Sequence, residues 1–163
     1  MKRLACFLTL AVFLGAAIPG ARADGPSSAL PAPDATNELR AFVQGFIYAV
    51  NQLNVDDLAR MYAPGPSTTV VRNGTITYGS DAIGMQARRM LNAAVKDSLD
   101  ASFEDVHVTM LGPSDALIIT PVTLGHAEPG EIKRGGTMTF VVEKRAGKWL
   151  ILHDHTTFNC QAR

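Results

Sequence analysis

The 163-residue chain balances 15 basic against 15 acidic residues, and 47% of it is hydrophobic. No basic stripe with interleaved aromatics appears, which argues against a nucleic-acid partner. The length supports one domain with a real hydrophobic core and not two.

Residues 1–23 read as a secretory signal. Lys2 and Arg3 supply the positive start, 4–18 form an apolar core, and Ala21-Arg22-Ala23 is a small-x-small cleavage site. The apolar run is shorter than the roughly 20 residues a membrane-spanning helix needs. Cleavage after Ala23 therefore predicts a soluble product, secreted or periplasmic, that begins at Asp24 and has no membrane partner. It also removes Lys2, Arg3 and Arg22, leaving a mildly acidic chain. Cys6 sits at the start of the apolar core and not after it, which argues against a lipid anchor. Cys160 is left without a partner in its own chain.

Residues 24–36, rich in Pro, Ala, Ser and Gly, read as a flexible leader, so the domain is expected over 37–160. Leu39, Phe42, Val43, Phe46, Ile47, Val50 and Leu53 recur at spacings of three and four and predict an amphipathic helix. Asn54 breaks it. Residues 55–62 form a second short helix with Asp56 and Asp57 in its first turn, where the helix dipole favours carboxylates. Two β-branched runs, 68–72 and 75–78, are joined by Asn73-Gly74, the strongest short hairpin signal. Asn73-Gly74-Thr75 also spells a glycosylation acceptor, relevant only in a eukaryotic secretory pathway. Ser80 caps a third helix to about residue 96.

Four strand-like segments follow at 103–111, 116–124, 137–144 and 148–155, with connections short enough for an antiparallel meander. The loop 125–136, with Glu128, Glu131, Lys133 and Arg134, reads as a hairpin loop or a flap over a cavity. The predicted fold class is α+β, with helices packed on one face of a curved sheet.

This element order carries three phrases: Asn54-Val55-Asp56-Asp57-Leu58-Ala59-Arg60-Met61-Tyr62, Gly79-Ser80-Asp81-Ala82-Ile83, and the stretch from Arg145-Ala146-Gly147-Lys148-Trp149 through Leu150-Ile151-Leu152 to His153-Asp154-His155. Together they resemble a SnoaL-like domain of the nuclear transport factor 2-like superfamily over about residues 37–158. The Gly-Lys-Trp turn followed by an apolar strand ending in His-Asp-His is the most specific part. The resemblance implies a cone-shaped half-barrel, a mostly antiparallel sheet of about six strands wrapped on three N-terminal helices, commonly in a homodimer. It leaves the chemistry open, because that superfamily holds isomerases, cyclases, dehydratases and non-catalytic binders. A carry-over from the ketosteroid isomerases fails: the oxyanion tyrosine falls at Phe46, the general base at or next to Val70, and the protonated aspartate near Thr139. None of these supplies the acid or base that steroid isomerisation needs.

Strict alternation in the last strand puts Trp149, Ile151, His153 and His155 on one face and Lys148, Leu150, Leu152 and Asp154 on the other. If Trp149 faces inward, both histidines line a pocket, and they become the candidate catalytic residues for proton transfer. Tyr48, Tyr62, Trp149 and Ile151 are the candidate ligand-binding residues. The competing interpretation makes the histidines structural. Asp154, on the opposite face, reads as a surface or dimer-interface carboxylate and not a catalytic partner unless a bulge shifts the register.

His-x-His can begin a metal site, with His107 and His126 as further candidates, but no third ligand has a completing spacing, so no metal and no cofactor are expected. Arg88 and Arg89 read as a solvated helix face. Three functions follow as expectations: a protein that binds an unidentified small molecule; a lyase, isomerase or cyclase using His153 or His155 on a small carbonyl compound; and a non-catalytic oligomerisation module.

Overall fold

A computed structural model describes residues 33–93, 99–126 and 134–159. The signal segment, most of the leader, most of the 125–136 loop and Cys160 lie outside the described residues. Three helices, α1 (Pro33–Asn51), α2 (Val55–Arg60) and α3 (Ser80–Ala93), precede or interrupt seven strands. These are β1 (Thr69–Arg72), β2 (Thr75–Tyr78), β3 (Leu99–Phe103), β4 (His107–Met110), β5 (Asp115–His126), β6 (Arg134–Arg145) and β7 (Lys148–Phe158).

The helical periodicity is realised in α1, whose Leu39, Val43, Phe46 and Val50 are all buried. The helix starts at Pro33, inside the stretch expected to be leader; a proline is well placed in a first helical turn because its missing N–H has no intrahelical partner there. It stops at Asn51, and Leu53 adopts a positive φ of 54° on the way into α2. Asn54 caps α2 by accepting from the Asp57 backbone N–H at 3.1 Å. The Asn73-Gly74 turn has both residues at positive φ, 48° and 83°, as the hairpin reading requires.

The sheet runs β2-β1-β7-β6-β5-β3, with β4 also paired to β5. All pairings are antiparallel except β1 with β7. The strand expected at 103–111 is realised only as the shorter β4, while Leu99–Phe103, almost wholly ahead of the expected run, forms β3, with Asp105 at a φ of 42° between them; hence seven strands and not six. β3 and β4 then share β5, pairing with its far and near halves respectively. The sheet bends around the helices, and the core lies between its concave face and α1–α3, centred on Phe46, Phe140, Ile118, Leu58 and Leu91. Asn51 ties helix to sheet, donating to the carbonyl of Ala101 and accepting from its N–H, both at 2.9 Å.

Candidate functional site

The last strand decides what faces the interior. Trp149 and Ile151 point inward, at 8% and 0% exposure, yet so do Asp154 and Thr156, at 0% and 1%. Strict alternation allows one pair or the other. The ladder with β6 resolves the conflict: Val142 pairs with Ile151 and Val141 with His153, so Leu152 is an extra residue opposite none.

The bulge sits where β7 changes neighbours. Before it, Ile151 exchanges backbone bonds with the segment after α2, its N–H donating to the Met61 carbonyl at 2.8 Å and its carbonyl accepting from Ala63 at 2.9 Å. After it, His153 pairs with Thr69 of β1. The extra residue rotates everything beyond it by one face.

His153 and His155 therefore lie on the outer, convex face, half-buried and exposed respectively. His153 Nδ1 is 2.7 Å from Thr69 Oγ1, His155 Nε2 is 3.2 Å from Thr157 Oγ1, and the two rings are 6.4 Å apart. The expectation that they share the face of Trp149 and line a pocket is overturned by the bulge.

In their place the bulge delivers a carboxylate. Asp154 accepts from the Tyr62 hydroxyl at 2.7 Å, from the Arg72 guanidinium at 2.9 Å and from the Thr156 hydroxyl at 3.1 Å. Burial, then the adjacent Asp154 charge, pushes the Tyr62 hydroxyl well above its ordinary range, so it stays protonated as a donor. Burial works against the Arg72 charge, but Asp154 and Tyr62 outweigh it and hold the guanidinium above its ordinary value. The cluster is an ion pair with two supporting hydroxyls.

Between the helices and the concave face lies a cavity of about 250 Å³. Phe46, Ile47 and Val50 of α1 and Met90 and Leu91 of α3 form one wall; Leu99, Ala101, Phe103, Val122, Leu124 and Met138 of the sheet form the other. Phe46, stacked on Phe103 at 6.1 Å and edge-on to Phe140 at 5.0 Å, closes the floor. The polar lining residues are Arg72, Asn73, Thr156 and Arg134, and no carboxylate lines the cavity among the described residues. A second depression, about 500 Å³, lined by Arg40, Gln44, Asp105, Val106 and His107, is a more open surface dish outside this core.

Of the other sequence candidates, Tyr48 is 66% exposed on the solvent side of α1, three and four residues being the spacing that shares a helix face and two being the spacing that leaves it. It does not reach the cavity. Tyr62 packs edge-on to Phe46 at 6.5 Å and stands behind the cavity as a support for Asp154. Trp149 is buried at the other end of β7, where its Nε1 donates to Glu38 at 2.9 Å and Lys144 sits 5.5 Å over its ring. Ile151 is core. Neither lines the cavity.

Arg88 is on the surface, paired with Asp56 at 3.1 Å. His107 is exposed beside Thr109, and no group of three or more metal-ligating side chains is present among the described residues.

Arg72, Asn73 and Thr156 were missed as cavity residues, and Asp154 as the buried partner of Arg72. The available signal was the unbroken apolar run Trp149-Leu150-Ile151-Leu152, which does not alternate as a regular half-buried strand would.

The half-barrel matches solved structures along most of their length. One is a nuclear transport factor 2-like protein of unknown function from Pseudomonas putida, at TM-score 0.69, 15% identity, and coverage of 77% of this chain and 87% of that one. A second, from Shewanella oneidensis and also of unknown function, matches at TM-score 0.63 and 19% identity, covering 76% and 98%. The chain has the nuclear transport factor 2-like fold. A third match, proposed to be a dehydratase of that family from Streptomyces avermitilis, has TM-score 0.67 and 14% identity, covering 80% and 100%. No family model and no curated protein matches the sequence. At these identities the likeness carries the architecture, and the chemistry has to be argued from this chain's own cavity.

Proposed function

We propose that the protein is an exported, SnoaL-like binder of a small molecule, held in the cavity between α1, α3 and the concave sheet, with His153 and His155 taking no part. The observation that carries this reading is the division of labour across β7. An apolar, helix-lined cavity with a polar corner is the usual form of a ligand site, no carboxylate lines it among the described residues, and the buried Asp154 is engaged by Tyr62, Arg72 and Thr156. An isomerase or dehydratase mechanism needs a base within hydrogen-bond reach of bound substrate. The histidines assigned that role stand on the opposite side of the sheet. The signal-like segment 1–23 supports export, to the periplasm or the medium.

Chemical-shift mapping on the exported chain tests this with a panel of small apolar amides and acids. Displaced signals should cluster at Ala101, Leu91 and Met138 and leave His153 and His155 unmoved. Shifts confined to the histidines would sink the reading. The mass of the exported chain checks cleavage after Ala23.

A second reading concerns the convex face. Strand register aligns Tyr78, Thr69, His153, Val141 and Leu117 in one row and Ile76, Val71, His155, Thr139 and Ile119 in the next. No residue of either row is Asp, Glu, Lys or Arg, while Ile76 and Tyr78 are 51% and 64% exposed. Such a charge-free face suits a second copy of the chain. Light scattering should give a dimer mass, and Val71→Asp should halve it; an unchanged monomer mass for both chains refutes the homodimer.

A further inference from the structure

The polar corner of the cavity is made almost wholly of hydrogen-bond donors, and this narrows what it can hold. A guanidinium carries a fork of N–H donors and no acceptor. Arg72 spends one of them on Asp154, and its side chain is still 25% exposed where it lines the cavity. Asn73 is oriented by accepting the Phe158 backbone N–H through its side-chain oxygen at 3.2 Å, which leaves its amide N–H₂ to donate. Thr156 donates its hydroxyl to Asp154. The corner therefore offers N–H groups from two side chains and asks for a ligand atom that accepts several at once.

Charge points the same way. Asp154 balances Arg72, so Arg134 is the formal charge on the cavity wall left without an ion-pair partner among the described residues. Met138 shares a row with Thr156 and Arg72, and Arg134 lies four residues further along the same face of β6. Four residues at ~3.4 Å along the strand and two inter-strand spacings of ~4.8 Å put the two arginine backbones roughly 17 Å apart, a gap that two extended arginine side chains narrow. Between them the lining is Met138, Phe158, Val122 and Leu124.

We infer that the cavity binds a small organic acid, its carboxylate on the donors of Arg72 and Asn73 in the field of Arg134 and its apolar body against Phe46, Phe103 and Met138. This rests on the cavity being the ligand site. At ~30 Å³ for a water-sized group, a space of about 250 Å³ takes on the order of ten non-hydrogen atoms. That is the size of a medium-chain fatty acid or a phenylalkanoic acid. Asp154 acts as a positioning residue, fixing the Arg72 fork before the ligand arrives, so little ordering is left to oppose binding.

Octanoate and octanamide test the assignment, because they match in shape and differ in charge; 3-phenylpropanoate and its amide repeat the comparison with a ring. Calorimetry on the exported chain at low salt should give the acids an affinity at least about tenfold above their amides, the discrimination expected of charge-assisted over neutral hydrogen bonds. Arg134 is exposed, so Arg134→Gln should leave the unfolding midpoint in place while cutting the acid-to-amide ratio severalfold, as should added salt. Equal binding of acid and amide overturns the ligand class and leaves the cavity reading standing. An acid preference that Arg134→Gln and salt do not touch overturns the role of Arg134. If none of the four compounds perturbs Ala101, Leu91 or Met138, the cavity reading fails along with the ligand class.

Discussion

Replacing Asp154 by Asn isolates its charge, because the hydrogen-bond count can be kept. The amide oxygen takes the place of Oδ2 facing Tyr62 and Arg72, and the amide N–H₂ takes the place of Oδ1 facing Thr156, whose hydroxyl oxygen can accept. What disappears is the attraction across 2.9 Å, about 6 kcal/mol at an effective dielectric constant of about 20. Against it stands the cost of burying a carboxylate with no exposure, several kcal/mol in folded proteins, which the amide does not incur.

Breaking a fully buried pair costs about 3–5 kcal/mol because the surviving charge is stranded. Arg72 retains 25% exposure and recovers part of its hydration, so Asp154→Asn should cost about 2–3 kcal/mol. With a urea slope of about 1–3 kcal/mol per molar, the midpoint falls by about 1 M or more. Asp154→Ala, which also empties three hydrogen bonds, should cost distinctly more, and the paired apolar replacement Arg72→Met with Asp154→Leu should recover most of the loss. A loss under about 0.5 kcal/mol for Asp154→Asn would refute the argument that this ion pair holds the polar wall of the cavity together.

Tyr62 gives a pH dependence with a definite sign. Its folded pKa is raised, so the contribution is fully present below the ordinary tyrosine value of 10.0 and is lost as pH rises above it, where the unfolded chain ionises and the folded one resists. Wild-type stability should therefore fall relative to Tyr62→Phe between pH 10 and the alkaline limit of the fold, measured by urea midpoints, and parallel curves would contradict it. At neutral pH the same substitution should cost about 1.5–3 kcal/mol, the worth of a hydrogen bond to a charged group. Gly136 faces Phe158 across the β6–β7 ladder, and a Cβ there would stand 2.3 Å from the Thr157 carbonyl oxygen. Gly136→Ala should cost about 1–3 kcal/mol by thermal unfolding, since backbone and not a mobile side chain must shift; an unaltered melting temperature would show that the strand end yields freely.

Much of the architecture was written in local pattern. The three-and-four spacing of Leu39, Val43, Phe46 and Val50, the Asn73-Gly74 turn and the Gly147-Lys148-Trp149 turn each act through neighbours close in sequence, and each element forms where those residues predict it. The strand β3 at Leu99–Phe103, ahead of the expected 103–111 run, was not legible in that way. It forms because residues on either side of Glu104-Asp105 pair with different stretches of β5, a choice made by the sheet as a whole.

The site depends on the same kind of non-local choice, and more acutely. β7 carries Ile151 and Asp154 at positions of opposite parity, so a regular strand can bury the hydrophobe or the carboxylate but not both. The tertiary structure asks for both: Ile151 is held by Met61 and Ala63 after α2, and Asp154 by Tyr62, Arg72 and Thr156. One extra residue at Leu152 meets the two demands together, and the same step that brings Asp154 in turns His153 and His155 out. A strand ending in His-Asp-His can thus turn either its histidines or its aspartate inward, according to whether a bulge lies between the tryptophan and the motif. Here the arginine opposite Thr156 on β1 makes the aspartate the stable choice, because a buried Arg72 without Asp154 would be an unpaired charge beside an apolar cavity.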